Sequence, residues 1–369
     1  MNFLVVTYAP TIKRKDQFFS YAPYVKEMDL WFAHAENIGI ISPYYYKDEI
    51  LEKNFKRNDI KRFWLPFFFS STLLQKIRTV LLVPVIVFQL IKAFIWADHI
   101  HLRCPGNVGL IACFVQILFP WKTKTAKYAG NWDPKSPQPL SYRIQRKILS
   151  NTFLTRNMSV LVYGDWKHQT KNIKSFFTAT YRDSDKEPIS SRKLDGIVKF
   201  SFIGSLAVGK RPLLTIQIVE ALFKKGHNVR LDVYGDGAMR NELEVYVTDN
   251  QLQEIIKLHG NVKGEFIKEV HKTSHFMLLP SKSEGWPKVV AEAMFWGSLP
   301  IVTKISCVPY MLDDGNRGIL TDPNVENAVE NIEKMLQSEE KYQIAVEKAI
   351  EWSRTYTLDK FEQEIKSLL

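Results

Sequence analysis

Two carboxylates lie eight residues apart in the segment S-K-S-E-G-W-P-K-V-V-A-E, which runs from Ser281 to Glu292. An apolar run precedes this segment, and Pro287 predicts the start of a helix because proline is well tolerated in the first helical turn. Glu284 then lies in a loop and Glu292 inside the helix, about 80° from two full turns at 3.6 residues per turn. Carboxylates accept hydrogen bonds from sugar or ribose hydroxyls, and the free N–H groups of a helix start suit an anion. The alternative interpretation is that Glu284 is a charge at the start of the helix and Glu292 a solvated residue on its surface.

A second loop of similar type follows an earlier apolar run, in the sequence F-I-G-S-L-A-V-G-K-R-P from Phe202 to Pro212. Lys210 lies directly before a helix that is predicted to begin with Pro212. The spacing from Gly204 to Lys210 resembles the P-loop of nucleoside triphosphatases. That class is excluded because Arg211 stands where a Mg²⁺-binding Ser or Thr is required. One loop with cations and one with carboxylates together indicate a ligand that contains a diphosphate and a polyol.

These loops need a scaffold, and both halves of the chain alternate apolar, strand-like runs with helix-like segments. That alternation is typical of parallel sheets covered by helices on both faces. We therefore expect two doubly wound α/β domains that face a cleft at the carboxyl ends of their strands. A polar stretch that contains Pro188, residues 183–195, is the predicted linker. The predicted strands are 3–7, 39–42, 99–103, 125–129, 159–163, 198–203, 230–234, 255–258, 276–279, 300–303 and 319–321, and the predicted helices include 18–28, 72–97, 108–118, 140–150, 212–225 and 341–369.

The composition of the 369-residue chain is that of an ordinary globular protein, with 46% hydrophobic and 24% charged residues. This excludes a disordered, collagenous or coiled-coil architecture, and the length suits two domains. Cys104, Cys113 and Cys307 are too few and too widely spaced for a disulfide framework or a cysteine-based zinc site. A reducing cytosol is therefore expected.

Charge is divided unevenly along the chain. Residues 1–200 carry a balance of +15, whereas the remaining residues carry −4. A basic half suggests an anionic partner, such as nucleic acid, anionic lipid or a phosphorylated substrate. A generally basic proteome is the other explanation.

The most apolar stretch, residues 79–97, contains Pro84, Gln89 and Lys92, and its uninterrupted part is shorter than the ~20 residues that a membrane span needs. A buried or surface-docking helix is expected instead. Upstream, residues 56–78 interleave basic side chains with large aromatic ones. That pattern suits either a membrane interface or a charged loop that leads into a core helix. The apolar N-terminal run lacks the basic region and cleavage site of a signal peptide, so we expect a first buried strand there.

The second domain resembles the donor-binding half of GT-B glycosyltransferases, specifically family 4, the group 1 type. The resemblance covers residues 196–350 and rests on the E-x7-E pair Glu284 and Glu292 in the frame P-S-x-S-E-G-W-P-K-V-V-A-E-A-M-x-x-G-x-L-P-I-V. It also rests on G-x-L-x-x-x-K ending at Lys210, on Y-G-D-G at 234–237 and on G-N-R-G-I-L at 315–320. In the first half, K-Y-A-G-N-W-D-P at 127–134 is similar to bacterial surface-polysaccharide members of this group.

The resemblance implies a division into an acceptor-binding Rossmann-like domain (1–185), a nucleotide-sugar-binding Rossmann-like domain (196–350) and a C-terminal helix (351–369) that packs back on the first domain. It implies catalytic roles for Glu284 and Lys210, the lysine neutralising the diphosphate as it leaves. Glu292 would bind the ribose hydroxyls, while Glu284 and the backbone of the following loop would hold the donor sugar. The donor-binding residues implied in this way are Gly204, Ser205, Arg211, Gly235, Gly285, Trp286, Pro287 and Glu292.

The family transfers sugars with retention of anomeric configuration and without a metal, so no cofactor is expected. A fixed lysine and a helix N-terminus can stabilise a leaving diphosphate in place of Mg²⁺. His99 and His101 alternate on one predicted strand, but no carboxylate or cysteine lies at ligand spacing, so no metal site is assigned. Ser205 stands where many members carry arginine, and Arg211 is the candidate substitute.

Acceptor contacts cannot be transferred from the family, because the first-half motifs differ. Arg103, Asn131 and Asp133 are the candidate acceptor-binding residues. Ordinary turn residues are the alternative interpretation for them.

The sequence thus predicts a retaining glycosyltransferase that moves a sugar from a nucleotide-diphosphate sugar to a glycan or a polyprenyl-diphosphate-linked acceptor, in the synthesis of cell-surface polysaccharide. It is expected in the cytoplasm, where its basic half would dock at the inner face of the membrane. A sugar-nucleotide epimerase of the same fold is one alternative. A basic nucleic-acid-binding protein is another, although no helix-turn-helix, RNP or zinc-finger pattern is present, and no nucleic acid is expected as a partner.

Overall fold

The computed structural model describes residues 1–45, 51–66 and 73–369, with side chains described from residue 79 onward in the last range. The chain divides into two compact units, Met1–Phe176 together with Glu362–Leu369, and Phe177–Phe361. The boundary therefore lies nine residues before the predicted end of the first domain at residue 185. The reason is that Phe177 already packs within the second unit, with its ring centroid 4.9 Å from that of Tyr356 and 5.7 Å from that of Phe361.

The first unit is built on a seven-stranded parallel sheet in the order β10-β9-β8-β7-β1-β4-β6, and a small antiparallel sheet joins β2, β3 and β5. Helices α2, α3 and α4 pack side by side on the large sheet. The elements are β1 (Asn2–Val6), β2 (Ile12–Arg14), β3 (Gln17–Tyr21), α1 (Ala22–Phe32), β4 (Asn37–Ser42), β5 (Glu52–Asn54), β6 (Ile60–Trp64), α2 (Leu73–Trp96), β7 (His99–Cys104), α3 (Asn107–Val115), β8 (Thr123–Tyr128), α4 (Leu140–Leu149), β9 (Met158–Tyr163) and β10 (Ile173–Phe176).

The second unit is built on a six-stranded parallel sheet in the order β13-β12-β11-β14-β15-β16. Its elements, followed by the last helix of the chain, are β11 (Val198–Ile203), α5 (Pro212–Lys224), β12 (Val229–Tyr234), α6 (Arg240–Asp249), β13 (Ile256–Gly260), α7 (Gly264–Thr273), β14 (Phe276–Leu279), α8 (Lys288–Phe295), β15 (Leu299–Thr303), α9 (Val308–Met311), β16 (Ile319–Thr321), α10 (Val325–Leu336), α11 (Glu339–Ser353) and α12 (Leu358–Leu368).

Strand order reverses once in each sheet. In the first unit, β1 leads outward through β4 to β6, and the chain then returns to β7 on the other side of β1. In the second unit, β11 leads outward through β12 to β13, and the chain then returns to β14 on the other side of β11. In open parallel sheets, ligands bind beside the carboxyl ends of the strands at such reversals. The β11–β14 pair and the β1–β7 pair therefore mark the expected binding edges.

The prediction of a helix from residue 18 is wrong at its start. Residues 17–21 form β3, in which Phe18 and Ser20 are buried and their neighbours face outward. This alternation is the period of a strand that is covered on one face. The helix begins only at Ala22, where Pro23 lies in the first turn.

Part of the basic and aromatic segment at 56–78 forms the edge of the large sheet. Residues 60–64 form β6 at the edge of the sheet, where Ile60 and Phe63 are buried. Leu65 is also buried, and the guanidinium of Arg62 lies over the ring of Tyr44. These side chains belong to the edge of the sheet. The aromatic run at 67–69 lies outside the described residues.

Helix α2 is continuous through Pro84 and is apolar on two opposite faces. One face, which includes Ile86, Leu90 and Ala93, lies in the core of the first unit. Within the part of the chain that the structure describes, residues 79–96 of α2 are the one stretch long and apolar enough to cross a membrane, and 22% of that stretch is buried. The other face is solvent-exposed.

Candidate functional site

The loops after β11 and β12 touch through two glycines. Gly235 has φ +130°, and a Cβ atom added there would lie 1.8 Å from the carbonyl oxygen of Gly204. Only glycine fits this contact, because any side chain would overlap backbone that has no room to move. The amide of Gly204 donates to the carbonyl of Tyr234 at 3.0 Å, and the amide of Leu206 donates to that of Asp236 at 3.0 Å. The predicted donor residues Gly204 and Gly235 are thus brought together at the sheet edge.

Lys210 and Glu284 form an ion pair across the strand reversal. The Nζ atom of Lys210 donates to Oε1 of Glu284 at 2.5 Å, and these side chains are 31% and 9% exposed. The lysine comes from the loop after β11 and the glutamate from the loop after β14. A backbone bond from Lys282 to the carbonyl of Gly209, at 2.8 Å, joins the same two loops. A cation and a carboxylate are therefore held together where a ligand of an open α/β sheet is expected.

Arg211 lies immediately before α5 in a left-handed conformation, with φ 53° and ψ 51°. Residues other than glycine are uncommon there, because the conformation is sterically unfavourable. Its guanidinium donates to the carbonyl of Pro280 at 3.3 Å, so it reaches the same loop as Lys210 does. Ser205 is exposed in the loop after β11. The structure therefore places Arg211 close to the predicted site as an additional cation.

The loop before α8 turns the side chain of Trp286 into the core of the second unit. Helix α8 begins after Pro287, and the thiol of Cys307 donates to the carbonyl of Gly285 at 2.9 Å. The Trp286 side chain is buried, with its ring stacked at 6.2 Å on that of Trp352. The resemblance assigns Trp286 to the donor through the backbone of residues 285–287, and that role stays a prediction.

Glu292 lies on α8 and accepts a hydrogen bond from the hydroxyl of Thr180 at 2.5 Å. The neighbouring Tyr181 packs on the rings of Phe295 and Trp296, with centroids 4.9 and 5.2 Å away, so the segment runs along α8. Burial raises the pKa of the Tyr181 hydroxyl, and the nearby Glu292 adds to that shift. Thr180 was missed by the sequence analysis, because 112 residues separate it from Glu292 and no local pattern connects them.

The predicted linker is anchored to the second unit. Glu187 accepts from the ammonium groups of Lys268 and Lys272, both at 2.6 Å. Arg192 donates to the carbonyls of Lys272 and Gly297, near the ends of α7 and α8. Residues 183–195 are therefore part of the second unit's surface.

In the first unit, Arg103 belongs to a buried charge cluster that we call the Glu27 cluster, formed by Glu27, Arg103 and Lys127. The guanidinium of Arg103 donates to Oε1 of Glu27, and Nζ of Lys127 lies 3.0 Å from the same oxygen. Burial opposes ionisation of the carboxyl, but the two cations outweigh it and hold the pKa of Glu27 well below its ordinary value. The cluster lies toward the carboxyl ends of β7 and β8 and carries one surplus positive charge.

Asn131 and Asp133 form a local turn. The side chain of Asn131 accepts from the amide of Asp133 at 2.9 Å, and the side chain of Asp133 accepts from the amide of Lys135 at 2.8 Å. These are the side-chain bonds by which Asn and Asp typically stabilise turns. Both residues were predicted to contact the acceptor, and the structure gives them this turn geometry near the end of β8.

His99 and His101 are buried on β7 and share one hydroxyl. Nε2 of His99 lies 2.9 Å and Nδ1 of His101 2.8 Å from Oγ1 of Thr125. Burial lowers the pKa of His99 to about 4, so this ring is neutral at pH 7. Among residues 1–45, 51–66 and 73–369, no group of three or more His, Cys, Asp and Glu side chains is arranged to hold a metal ion.

The second half of the chain matches a known sequence family. Residues 183–352 match the model of the family described as Glycosyl transferases group 1. The chain is 28% identical over 150 residues to a phosphatidylinositol N-acetylglucosaminyltransferase subunit of Arabidopsis thaliana, covering 41% of this chain and 33% of that protein. It is 24% identical over 140 residues to alpha-D-kanosaminyltransferase of Streptomyces kanamyceticus, covering 38% of this chain and 36% of that protein. The match thus spans about a third of the length of these curated relatives.

Solved structures resemble the chain over its whole length. Sucrose-phosphate synthase from Thermosynechococcus elongatus has a TM-score of 0.65 at 12% identity, covering 100% of this chain and 98% of that chain. Anabaena Alr3699/HepE in complex with UDP and glucose has a TM-score of 0.67 at 12% identity, covering 99% and 98%. Such low identity shows the fold alone. The predicted fold class of two Rossmann-like doubly wound domains of the GT-B type is confirmed.

Proposed function

We propose that this protein is a retaining, metal-independent hexosyltransferase of family 4, which transfers a sugar from a nucleotide-diphosphate sugar to a glycan or a polyprenyl-diphosphate-linked acceptor. The observation that carries the proposal is the ion pair of Lys210 and Glu284 at the β11–β14 reversal. It lies inside the matched region 183–352, and the relatives named above are called glycosyltransferases.

Lys210 would stabilise the leaving group. When the bond between the anomeric carbon and the diphosphate breaks, the electron pair goes to the terminal phosphate oxygen. An ammonium group held at the sheet edge can stabilise that charge without a metal ion, because it is positioned before the reaction begins. Arg211 and the N-terminus of α8 add positive potential from neighbouring positions. The acceptor hydroxyl attacks the face that the diphosphate leaves, and its proton passes to the departing phosphate oxygen.

The remaining donor contacts follow from the same loops. Glu284 would accept hydrogen bonds from the donor sugar, and Glu292 from the ribose hydroxyls, exchanging its present partner Thr180 for the ligand. Gly235 would let the nucleotide approach the backbone, since no side chain projects there. The backbone of 285–287 would line the sugar.

The Glu27 cluster supports an acceptor with an anionic group. Two cations share one carboxylate near the carboxyl edge of the first sheet, and the surplus charge favours a phosphate or diphosphate nearby. We place the reaction in the cytoplasm, in the synthesis of surface polysaccharide. The free, buried cysteines support a reducing compartment.

Thermal unfolding in the presence of UDP-, GDP- and ADP-sugars tests donor binding. A ligand at 100 times its Kd raises the free energy of unfolding by about 2.7 kcal/mol. We expect one nucleotide series to raise Tm for the wild type, with a smaller shift for Glu292→Gln and an unchanged one for the exposed control Glu351→Gln. If none of the donors changes Tm at millimolar concentration, the proposal fails.

Product analysis tests the reaction itself. With a donor identified, transfer to glycan and lipid-diphosphate acceptors is followed by mass spectrometry, and the anomeric configuration by NMR. We expect retention, and activity that persists in EDTA. Conversion of the donor sugar in the absence of any acceptor would instead identify an epimerase.

A further inference from the structure

We propose that the outer face of α2, α3 and α4 is a docking surface for a bilayer that contains anionic phospholipids, with α2 lying in the plane of the interface. This surface belongs to the first unit and shares no residue with the donor loops of the second unit. The inference therefore goes beyond the transfer reaction and does not depend on it.

The strongest observation is an exposed apolar stripe on α2. Leu81, Val85, Phe88 and Ile95 are between 40% and 72% exposed. Their spacing of four, three and seven residues keeps them within one narrow face of a helix. The opposite face carries the buried residues of the core. A helix that is apolar on both faces, with one face left exposed, indicates a second apolar environment.

The stripe continues onto the neighbouring elements. Phe114 on α3 and Leu118 and Trp121 after it are exposed, as is Phe153. Helices α2 and α3 pack together, and the ring of Phe119 lies 5.5 Å from that of Phe94 on α2 and 5.7 Å from Trp121. The exposed apolar side chains therefore lie on adjoining parts of the first unit.

The buried face of α2 determines how the helix can lie relative to a bilayer. Leu90 and Ala93 are fully buried, and α2 packs against β1, β4 and β6. The helix could leave this position and cross a bilayer only if the core of the first unit opened. It can instead lie along the interface and insert only its outer stripe, as amphipathic interfacial helices do.

Charge identifies the partner as an anionic surface. Among residues 79–164, the exposed charged side chains are one acidic residue, Asp98, and five basic residues, Lys92, Lys135, Arg143, Lys147 and Arg156. Lys92 is exposed within the stripe, one turn after Phe88, so its long stem can lie along the apolar face while its ammonium group reaches the headgroups. Arg143 and Lys147 are exposed one turn apart on α4. Such cations attract the anionic headgroups that surround an inserted apolar stripe.

A groove beside the stripe offers a place for headgroups. It has a volume of about 750 Å³, and its lining includes Trp121, Arg156 and Lys171. An indole next to two cations suits the headgroup layer of a bilayer. There, aromatic rings lie at the boundary with the acyl chains and cations bind the anionic headgroups. A second copy of the chain is a poorer occupant, because two equally basic faces would repel each other.

Co-sedimentation with vesicles tests the proposal. Wild-type protein is mixed with vesicles of phosphatidylcholine alone or with equal parts of phosphatidylglycerol. We expect binding to the mixed vesicles that weakens with salt. The affinity of Leu81→Gln/Phe88→Gln for the mixed vesicles should fall by at least about tenfold, because two apolar side chains no longer insert. The matched control Phe223→Gln/Val245→Gln, exposed in the second unit, should bind like the wild type.

Two further measurements separate the outcomes. Arg143→Gln/Lys147→Gln should lose roughly tenfold or more of the affinity for anionic vesicles only, from about 1 kcal/mol per cation. The donor-induced change in Tm should be the same in all variants, so that failure of the transferase proposal is recognised independently. No binding of the wild type, or equal binding of Leu81→Gln/Phe88→Gln, overturns the proposal. So does a dimer in light scattering that only this variant abolishes, which would identify a second copy as the occupant.

Discussion

At the scale of single residues, Lys210 is the side chain on which the proposed chemistry depends most. We predict that Lys210→Met lowers kcat by about 10²–10³-fold, because the leaving diphosphate loses its fixed cation. The side chain is partly exposed, so the fold should be retained. Steady-state transfer assays measure the loss. Lys282→Met, an exposed lysine in the adjoining loop, serves as the control and should remain active.

Two glycines of the same site should respond differently to alanine. Gly235→Ala places a methyl group against the carbonyl of Gly204 and should lower the free energy of unfolding by about 2 kcal/mol or more. In Gly204→Ala the new Cβ meets nothing closer than the ring of Phe202, at 3.9 Å, and stability should change little. Chemical denaturation measures both. Equal effects would mean that the two loops do not abut as described.

Replacement of Arg211 can separate its effect on folding from its effect on donor binding. Glycine tolerates the left-handed backbone at this position, so Arg211→Gly should keep or raise Tm. If the guanidinium serves the diphosphate, donor affinity falls at the same time. Thermal unfolding with and without the donor measures both quantities. An unchanged donor shift would remove Arg211 from the proposed site.

The sequence predicted the positions of residues that lie next to clear local signals, such as the end of an apolar run or a proline at the start of a helix. Glu284 and Lys210 lie in loops between an apolar strand and a proline-started helix, so their positions could be predicted. Thr180 could not, because its contact with Glu292 joins distant parts of the chain. Glu27 was missed for the same reason, since its partners Arg103 and Lys127 lie on strands far along the sequence.

At the scale of elements, the Glu27 cluster ties α1 to β7 and β8 and should make the first unit sensitive to acid. The folded pKa of Glu27 lies below its unfolded value of about 4.3, so its contribution is fully present above that pH. It is lost as the pH falls further toward the folded pKa. We predict that Glu27→Gln costs about 3–5 kcal/mol at pH 7, since two buried cations lose their counter-charge.

Denaturation curves from pH 7 to pH 3 measure this effect. The wild type should lose stability below about pH 4.5, whereas Glu27→Gln should show a flatter acid limb over the same interval. A variant with the same acid limb as the wild type would show that other carboxylates dominate.

Strands with continuous apolar runs could be predicted from the sequence, whereas short strands with polar, partly exposed residues could not. The central strand β14 was predicted with its observed bounds, since both of its faces are buried. The short strands β2 and β5 carry polar, partly exposed residues and give no apolar run to detect. The polar segment at 183–195 was predicted as a linker, but its charges pair with α7, a contact that composition does not reveal.

At the scale of the whole molecule, the two units should respond separately to a donor. We predict that a bound nucleotide sugar slows hydrogen exchange in the loops at 204–211, 235–239 and 280–287, which meet at the carboxyl edge of the second sheet. The strands β1, β4 and β7 of the first unit should exchange as before. Mass spectrometry of peptic peptides measures this. Protection that appears only in the first unit would contradict the assignment of the donor site.

The ion pair of Lys210 and Glu284 would also govern how the spent donor leaves. An incoming nucleotide sugar takes the ammonium group with its diphosphate and compensates the carboxylate with sugar hydroxyls. After transfer, the nucleoside diphosphate has no sugar to offer Glu284. The carboxylate would then compete for Lys210, and re-formation of the pair would help to expel the product. If the proposed reaction holds, the same contact that positions the lysine would thus limit product inhibition and favour turnover.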